Sequence, residues 1–164
     1  MEQKYIYSFS QIEDKVKALH ETNTEAAAAV ALSWLGLSRD ELKTLRVSDY
    51  NSTMRMLHSA GRVVYVREDL IADMLKAICE EAPEYSMGFF ITDVNSAYEA
   101  AEKQELSPIS VLKMRYFYEK HSAKLSGEPE DRVFLKEILR SVDESEADME
   151  KQFAEYEKNA PEKI

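Results

Sequence analysis

An apolar run of ten residues, AAAAVALSWL from Ala26 to Leu35, constrains the fold of this chain more than any other feature. In a helix these residues are apolar on almost every side, and such a helix has to be enclosed by other elements. Asn23 or Thr24 is suited to begin this helix, and Gly36 is suited to end it. The sequence therefore predicts a central helix over residues 25–35, packed inside the rest of the domain.

Patterns of apolar residues along the remaining chain indicate a mainly α-helical domain with one small β-hairpin, an α+β fold. Alternating residues on both sides of a glycine-containing turn predict the hairpin, and Ser107 followed by Pro108 marks a helix start. A length of 164 residues fits a single domain over 1–164, with a C-terminal helix and tail over 143–164 that could detach. The predicted elements are helices over about 10–20, 25–35, 39–45, 67–81, 96–104, 108–125, 131–140 and 143–158, strands over 53–58 and 62–66, and an extended segment over 88–92.

The stretch GLSRDELKTLR, from Gly36 to Arg46, has two interpretations. A glycine-led turn between two helices is typical of a DNA-reading helix-turn-helix, and the hairpin after it would supply a wing. Asp40 and Glu41 weaken this interpretation, because carboxylates would stand at the end of the helix that meets the bases. The DNA-contacting residues in such a winged helix would be Arg39, Lys43 and Arg46.

Charge disfavours DNA binding by the chain as a whole. There are 31 acidic and 21 basic residues, a net charge of −10, whereas proteins that follow a phosphate backbone usually present a basic face. One local exception lies in residues 101–126, which hold 3 acids and 5 bases. The candidate basic patch there consists of Lys113, Arg115, Lys120 and Lys124.

Several segments, taken in order, resemble the catalytic domain of tyrosine recombinases, the phage integrase family. AAVALSWLGLSRDELKTLRVSDYN is similar to the family's opening helices, and GRVVYVREDLIADMLKAI to the hairpin strand and helix after them. GFFITDVNSAYEAAEKQELSP and GEPEDRVFLKEIL are similar to later segments. The resemblance covers roughly residues 10–158 and implies a tyrosine-recombinase catalytic-domain-like fold, of phage or mobile-element type.

The resemblance also implies where catalytic residues should stand, and this sequence departs from the family there. The first phosphate-binding arginine should follow Gly36 and Leu37, but that position is Ser38, with Arg39 one residue away. One residue corresponds to a rotation of about 100° around a helix, so Arg39 would be a displaced substitute. The hairpin lysine is also missing from Ser59-Ala60-Gly61, where His58 is the nearest titratable group.

The family's histidine and second arginine depend on the alignment register. One register places Ile109 and Leu112 at these positions, and a shift of three residues places Leu112 and Arg115 there. Neither register keeps the histidine, although His121 lies further along the same helix. The supporting histidine or tryptophan falls near Ser141.

Tyr156 is the candidate nucleophile of the C-terminal helix. It stands between two glutamates in AEYEK, where negative charge opposes the formation of a phenolate. Met149 and Phe153 share its helix face, which suggests packing or self-association through this stripe. The candidate catalytic residues are thus Arg39, Arg115, His121 and Tyr156, none of them in a complete constellation.

The residues favour a degenerate recombinase-like protein without strand cleavage, acting as an accessory or regulatory protein through a protein partner or self-association. The alternatives are a winged-helix regulator and an active strand-exchange enzyme with displaced residues. A single cysteine, Cys79, excludes a multi-cysteine zinc site, and no cofactor or metal is expected. The absence of a signal-peptide core and of a long apolar run predicts a cytoplasmic protein without membrane contact.

Overall fold

The computed structural model describes residues 9, 12–59, 61–81, 88–119 and 129–159, and their side chains except those of 62, 129–134 and 156–159. Eight α-helices and a small antiparallel sheet form this part of the chain, which confirms a mainly helical α+β fold. The helices are α1 (Glu13–Thr22), α2 (Thr24–Trp34), α3 (Arg39–Thr44), α4 (Asp69–Glu81), α5 (Val94–Lys103), α6 (Pro108–Phe117), α7 (Pro129–Val142) and α8 (Glu146–Asn159).

Helix α2 is the centre of the fold, as its apolar sequence predicts. Every residue from Ala26 to Trp34 is buried, and α1, α5 and α6 pack around it. The alanines make this possible, because small side chains let several helices approach one axis closely. The side chain of Asn23 begins α2 by accepting a hydrogen bond from the Ala26 amide at 3.0 Å.

The sheet contains the predicted hairpin and one additional short strand. Its strands are β1 (Tyr50–Asn51), β2 (Met56–Ser59) and β3 (Arg62–Tyr65), ordered β1-β2-β3 with antiparallel neighbours. The sequence predicts the first strand of the hairpin over 53–58, but this strand begins only at Met56. The reason is that residues 52–55 form a turn, in which Arg55 has a φ of 54°. Leu57 and Val64 face the core from this sheet.

The extended segment predicted over 88–92 pairs with the chain that follows α3. Phe89 forms an isolated antiparallel bridge with Arg46, and the Phe90 amide donates to the Leu45 carbonyl at 3.3 Å. Residues Val47–Asp49 form a short 3-10 turn that leads into β1.

A second, smaller apolar cluster adjoins the core around α2, and the half-buried Ile109 and Met114 pack against both. Helix α6 contributes to both clusters, and α7 and α8 complete the second. Helix α6 begins with Ser107 as its cap and Pro108 in its first turn, as predicted, while its predicted end at Leu125 lies outside the described residues. The buried members of the second cluster are Leu112, Tyr116, Phe117, Ile138, Val142, Met149 and Phe153.

Within the described ranges, no helix has the length and apolar character needed to span a bilayer.

Candidate functional site

The turn between α2 and α3 is built to end one helix and begin the next. Gly36 has a φ of 96°, and its amide donates to the Ser33 carbonyl at 2.9 Å while the Leu37 amide donates to the Leu32 carbonyl at 3.1 Å. This pair of hydrogen bonds is the Schellman arrangement, in which a glycine adopts the backbone conformation that other residues avoid.

Ser38 then acts as the N-cap of α3. Its hydroxyl accepts a hydrogen bond from the Glu41 amide at 3.2 Å, and a carboxylate oxygen of Glu41 accepts one from the Ser38 amide at 2.9 Å. This reciprocal pair is a capping box. The position where the resemblance expects a phosphate-binding arginine is therefore occupied by a helix-capping serine.

The second carboxylate oxygen of Glu41 connects α3 to the hairpin. It accepts a hydrogen bond from the buried Ser59 hydroxyl at 2.8 Å. Ser59 lies in the segment where the family's lysine was sought, and its hydroxyl holds a carboxylate there. No local sequence pattern indicates this contact, because the two residues are separated by 18 positions.

Arg39 lies against α5 and makes a defined set of contacts. Its Nε and Nη2 atoms donate to the side-chain oxygen of Asn95 at 3.2 and 2.6 Å. Its guanidinium also lies 4.7 Å from the centre of the Tyr98 ring, a cation–π contact. Burial raises the pKa of the Tyr98 phenol, while the nearby Ser33 hydroxyl and the Arg39 cation oppose that change.

Arg115, the second candidate arginine, is buried beneath the end of α2. Its Nη1 donates to the Trp34 carbonyl at 2.8 Å, and its Nε donates to a carboxylate oxygen of Glu119 at 2.8 Å. The guanidinium also lies 5.3 Å from the centre of the Trp34 ring. Both charged side chains are almost fully buried, with 11% and 12% of their surfaces exposed, so Arg115 stabilises the interior of the domain.

The Arg115 site extends through Trp34 to α4. The indole Nε1 of Trp34 donates to a carboxylate oxygen of Glu68 at 3.0 Å, and the rings of Phe9 and Tyr118 lie 6.1 and 5.6 Å from that of Trp34. Glu119 stands four residues after Arg115, on the same helix face. This spacing favours an ion pair, so the sequence alone could indicate that Arg115 has a partner.

The predicted basic patch is largely neutralised where the structure describes it. The Nζ atom of Lys113 donates to Glu144 at 2.8 Å and to Gln152 at 3.3 Å, and the Gln152 amide donates to the other Glu144 oxygen at 2.8 Å. This network joins α6 to the start and middle of α8. Lys120, Lys124 and His121 lie outside the described residues.

The remaining candidates for DNA contact lie on or after α3. Lys43 is exposed near the end of this helix. The Arg46 guanidinium lies 4.4 Å from the centre of the Phe89 ring, and the Arg46 amide donates to Asp49 at 2.9 Å. Helix α3 has six residues, which is less than two turns, so it is short for a recognition helix.

Arg140 and Ser141, near the end of α7, both contact Glu137 of the same helix. Arg140 pairs with Glu137 at 2.6 Å. The hydrogen bond with Glu137 raises the pKa of Arg140, and the negative charges of Glu137, Glu41 and Asp40 act in the same direction. Ser141, near which the supporting residue was expected, donates from its hydroxyl to the Glu137 carbonyl at 2.8 Å.

Helix α8 packs onto its own chain through part of the predicted stripe. Met149 and Phe153 are buried, and the Phe153 ring lies 5.3 Å from the Phe117 ring of α6. Tyr156 belongs to the last turns of α8, but its side chain is not among those described.

A cleft of about 390 Å³ separates the end of α3 from the hairpin. His58, the residue nearest to the expected lysine, lines this cleft together with Asp49 and Ser59. Among the described residues, those of this cleft included, no group of three histidine, cysteine or acidic side chains could hold a metal ion. The other residues that line the cleft between α3 and the hairpin are Thr44, Leu45, Gly61 and Val63.

Comparison with known proteins gives no match to a family model, to a curated protein or to a solved structure.

Replacing Ser38 tests whether this position is structural. We expect Ser38→Arg to lower the free energy of unfolding by about 1 kcal/mol, because arginine cannot accept the Glu41 amide hydrogen bond. Ser38→Asp keeps an acceptor oxygen at the cap and should change stability by less than about 0.5 kcal/mol. Urea denaturation followed by circular dichroism gives both values, and equal stability of the two variants would contradict the capping role.

Removing one member of the buried ion pair should be far more damaging. We expect Arg115→Met to lower the free energy of unfolding by about 3–5 kcal/mol, because it leaves the Glu119 carboxylate and the Trp34 carbonyl without this partner. The double variant Arg115→Met/Glu119→Leu should regain part of this loss, since no buried charge remains. A double-mutant cycle in urea measures the coupling, and additive losses would contradict the pairing.

Proposed function

We propose that this chain is a tyrosine-recombinase-like protein of phage or mobile-element type that does not cleave DNA strands. In this proposal it acts as an accessory or regulatory protein through protein contacts. The recombinase relationship rests on the order of the resembling segments in the sequence.

The capping box at Ser38 is the main observation in favour of the proposal that the chain does not cleave DNA strands. The proposed ancestral arginine would need this position to reach a scissile phosphate. Here the Ser38 side chain caps α3, and the Glu41 side chain completes the cap and connects α3 to the hairpin. A phosphate entering this turn would also meet the carboxylates of Asp40 and Glu41, which repel it. The local electrostatics thus oppose the charge stabilisation that strand cleavage requires.

The state of Arg115 supports the same conclusion. To bind a phosphate, this guanidinium would have to give up a buried carboxylate and a buried carbonyl. Breaking a buried pair of this kind is costly. Catalysis would need Arg39 and Arg115 side by side. Arg39 instead contacts α5, and Arg115 contacts the end of α2.

Helix α8 is the proposed element of protein contact. Its buried residues belong to the second cluster and not to the core around α2. Such a helix can leave its own chain and dock in the same way on a neighbour, because the contacts made in the two arrangements are equivalent. Self-association by exchange of α8 would use Met149 and Phe153 on the same surface of α6 and α7.

The loss of cleavage is tested by attempting to trap a covalent DNA adduct. Nicked suicide duplexes of random sequence are incubated with the chain, and denaturing electrophoresis separates any protein–DNA adduct. We expect none, because neither candidate arginine is placed to bind a scissile phosphate. An adduct that forms with the natural chain and disappears in Tyr156→Phe would overturn the proposal.

Exchange of α8 is tested by sedimentation velocity over a range of concentrations. We expect the natural chain to form a dimer at high concentration and Phe153→Asp to remain monomeric, because a carboxylate cannot enter the apolar cluster. Ala154→Asp is the matched control, since Ala154 is the exposed neighbour of Phe153 on the same helix.

Circular dichroism separates these outcomes from unfolding, since the core around α2 should keep its helical signal in both variants. A natural chain that is monomeric at every concentration would rule out exchange, as would Ala154→Asp and Phe153→Asp behaving alike.

A further inference from the structure

The outer face of the hairpin formed by β2 and β3 is unusually apolar for a protein surface. The register places Met56 opposite Tyr65 and His58 opposite Val63, and because strand residues alternate between faces, these four share the face away from the core. Val63 and Tyr65 are 43% and 59% exposed. With Met54 in the preceding turn, they are the large apolar side chains that stand exposed in the described part of the chain.

Strand β3 also has an open edge. The sheet order is β1-β2-β3, so no described strand pairs with the outer side of β3. In an antiparallel pair, alternate residues direct their N–H and C=O groups away from the neighbouring strand, and these groups of β3 point outward. Natural edge strands are commonly protected by proline, lysine or a bulge, and the sequence RVVY contains no proline or lysine.

The sheet itself carries basic residues and no acidic one, although Asp49, which lines the cleft with Val63, and Glu68 and Asp69 border it. Residues 50–67 contain three arginines and no acidic residue, in a chain with a net charge of −10. Arg55 is paired with Asp69 at 2.9 Å. The other two arginines flank the strand: Arg62 is its first residue, and the exposed Arg67 follows its end.

We propose that the outer edge of β3 is a docking site for an extended acidic segment of a partner protein, which adds to the sheet as a further strand. Main-chain hydrogen bonds supply the pairing, as in other cases of strand addition. Alternate apolar residues of the segment cover Val63 and Tyr65, and a carboxylate of the segment approaches the exposed Arg67. This surface is separate from α8 and does not depend on the recombinase relationship.

The apolar edge fits a peptide better than a nucleic acid. At physiological salt, charges separated by more than about 8 Å are largely screened, so a short peptide meets mainly the charges of the sheet itself, which contains no acidic residue. A duplex has a longer footprint and would meet the acidic remainder of the surface. Met54 and Val63 are aliphatic, which leaves Tyr65 as the single aromatic ring among these three exposed side chains, whereas proteins that bind single strands stack successive bases on several rings.

Fluorescence anisotropy of labelled peptides with the full chain tests the proposal. The probe is an acetylated peptide of alternating valine and glutamate, compared with the same peptide carrying lysine for glutamate and with one N-methylated at alternate amides. We expect binding of the glutamate peptide and at least about tenfold weaker binding of the other two, because they lose charge complementarity and strand pairing respectively.

Variants assign the binding to β3. Arg67→Glu and Tyr65→Ser should each weaken binding of the glutamate peptide by about tenfold, because they remove a flanking charge and an apolar contact. Both side chains are exposed, so the fold should be retained. Lys103→Glu, an exposed charge reversal on α5, is the matched control and should bind as the natural chain does.

The proposal would be overturned if the glutamate peptide did not bind up to about 1 mM, or if the lysine or N-methylated peptide bound equally well. It would also be overturned if Arg67→Glu left binding of the glutamate peptide unchanged, or if Lys103→Glu weakened that binding equally. Stronger binding of single-stranded or duplex oligonucleotides through the same residues would make this a nucleic-acid surface. Self-association of the natural chain that is lost in Tyr65→Ser would make a second copy the occupant. Either oligonucleotide binding or this self-association would replace the acidic segment as the occupant of the site and would overturn the proposal.

Discussion

The carboxyl-terminal end of α2 lies inside the protein, and its buried carbonyl groups have to be paired there. The last carbonyls of any helix lack partners within the helix, and a buried unpaired carbonyl is costly. Here the backbone of the Gly36 turn satisfies two of them, and the Arg115 guanidinium satisfies that of Trp34. A cation at this end is also favoured by the helix dipole.

This requirement explains the arrangement of the neighbouring elements. Because Arg115 has to reach the end of α2, α6 is held alongside that helix, and Glu119 balances the buried charge. Because the chain leaves the Gly36 turn in a fixed direction, Ser38 begins α3 immediately, and Glu41 then fixes the hairpin through Ser59. The residues that would have been assigned to chemistry are thus used for packing and capping.

Much of the fold could be predicted from local patterns. The apolar run of α2, the caps at Asn23 and Ser107 and the alternation of β2 and β3 all act over short distances, and the structure confirms them. Sequence could not show the burial of Arg115 or the contact of Glu41 with Ser59, because both depend on residues brought together from different elements. For the same reason, the basic cluster predicted around Lys113 could not be recognised as neutralised by Glu144, 31 positions away.

The division of the apolar interior into two clusters has a consequence for motion within the native protein. Backbone amides exchange their hydrogens with solvent only when a structure opens, and regions with fewer buried contacts open more readily. Helix α2 is enclosed on all sides, so its amides can exchange only when the domain opens as a whole. Helix α8 is held by Met149, Phe153 and the hydrogen bonds around Lys113. We therefore expect hydrogen exchange to be graded along the chain, faster in α8 than in α2.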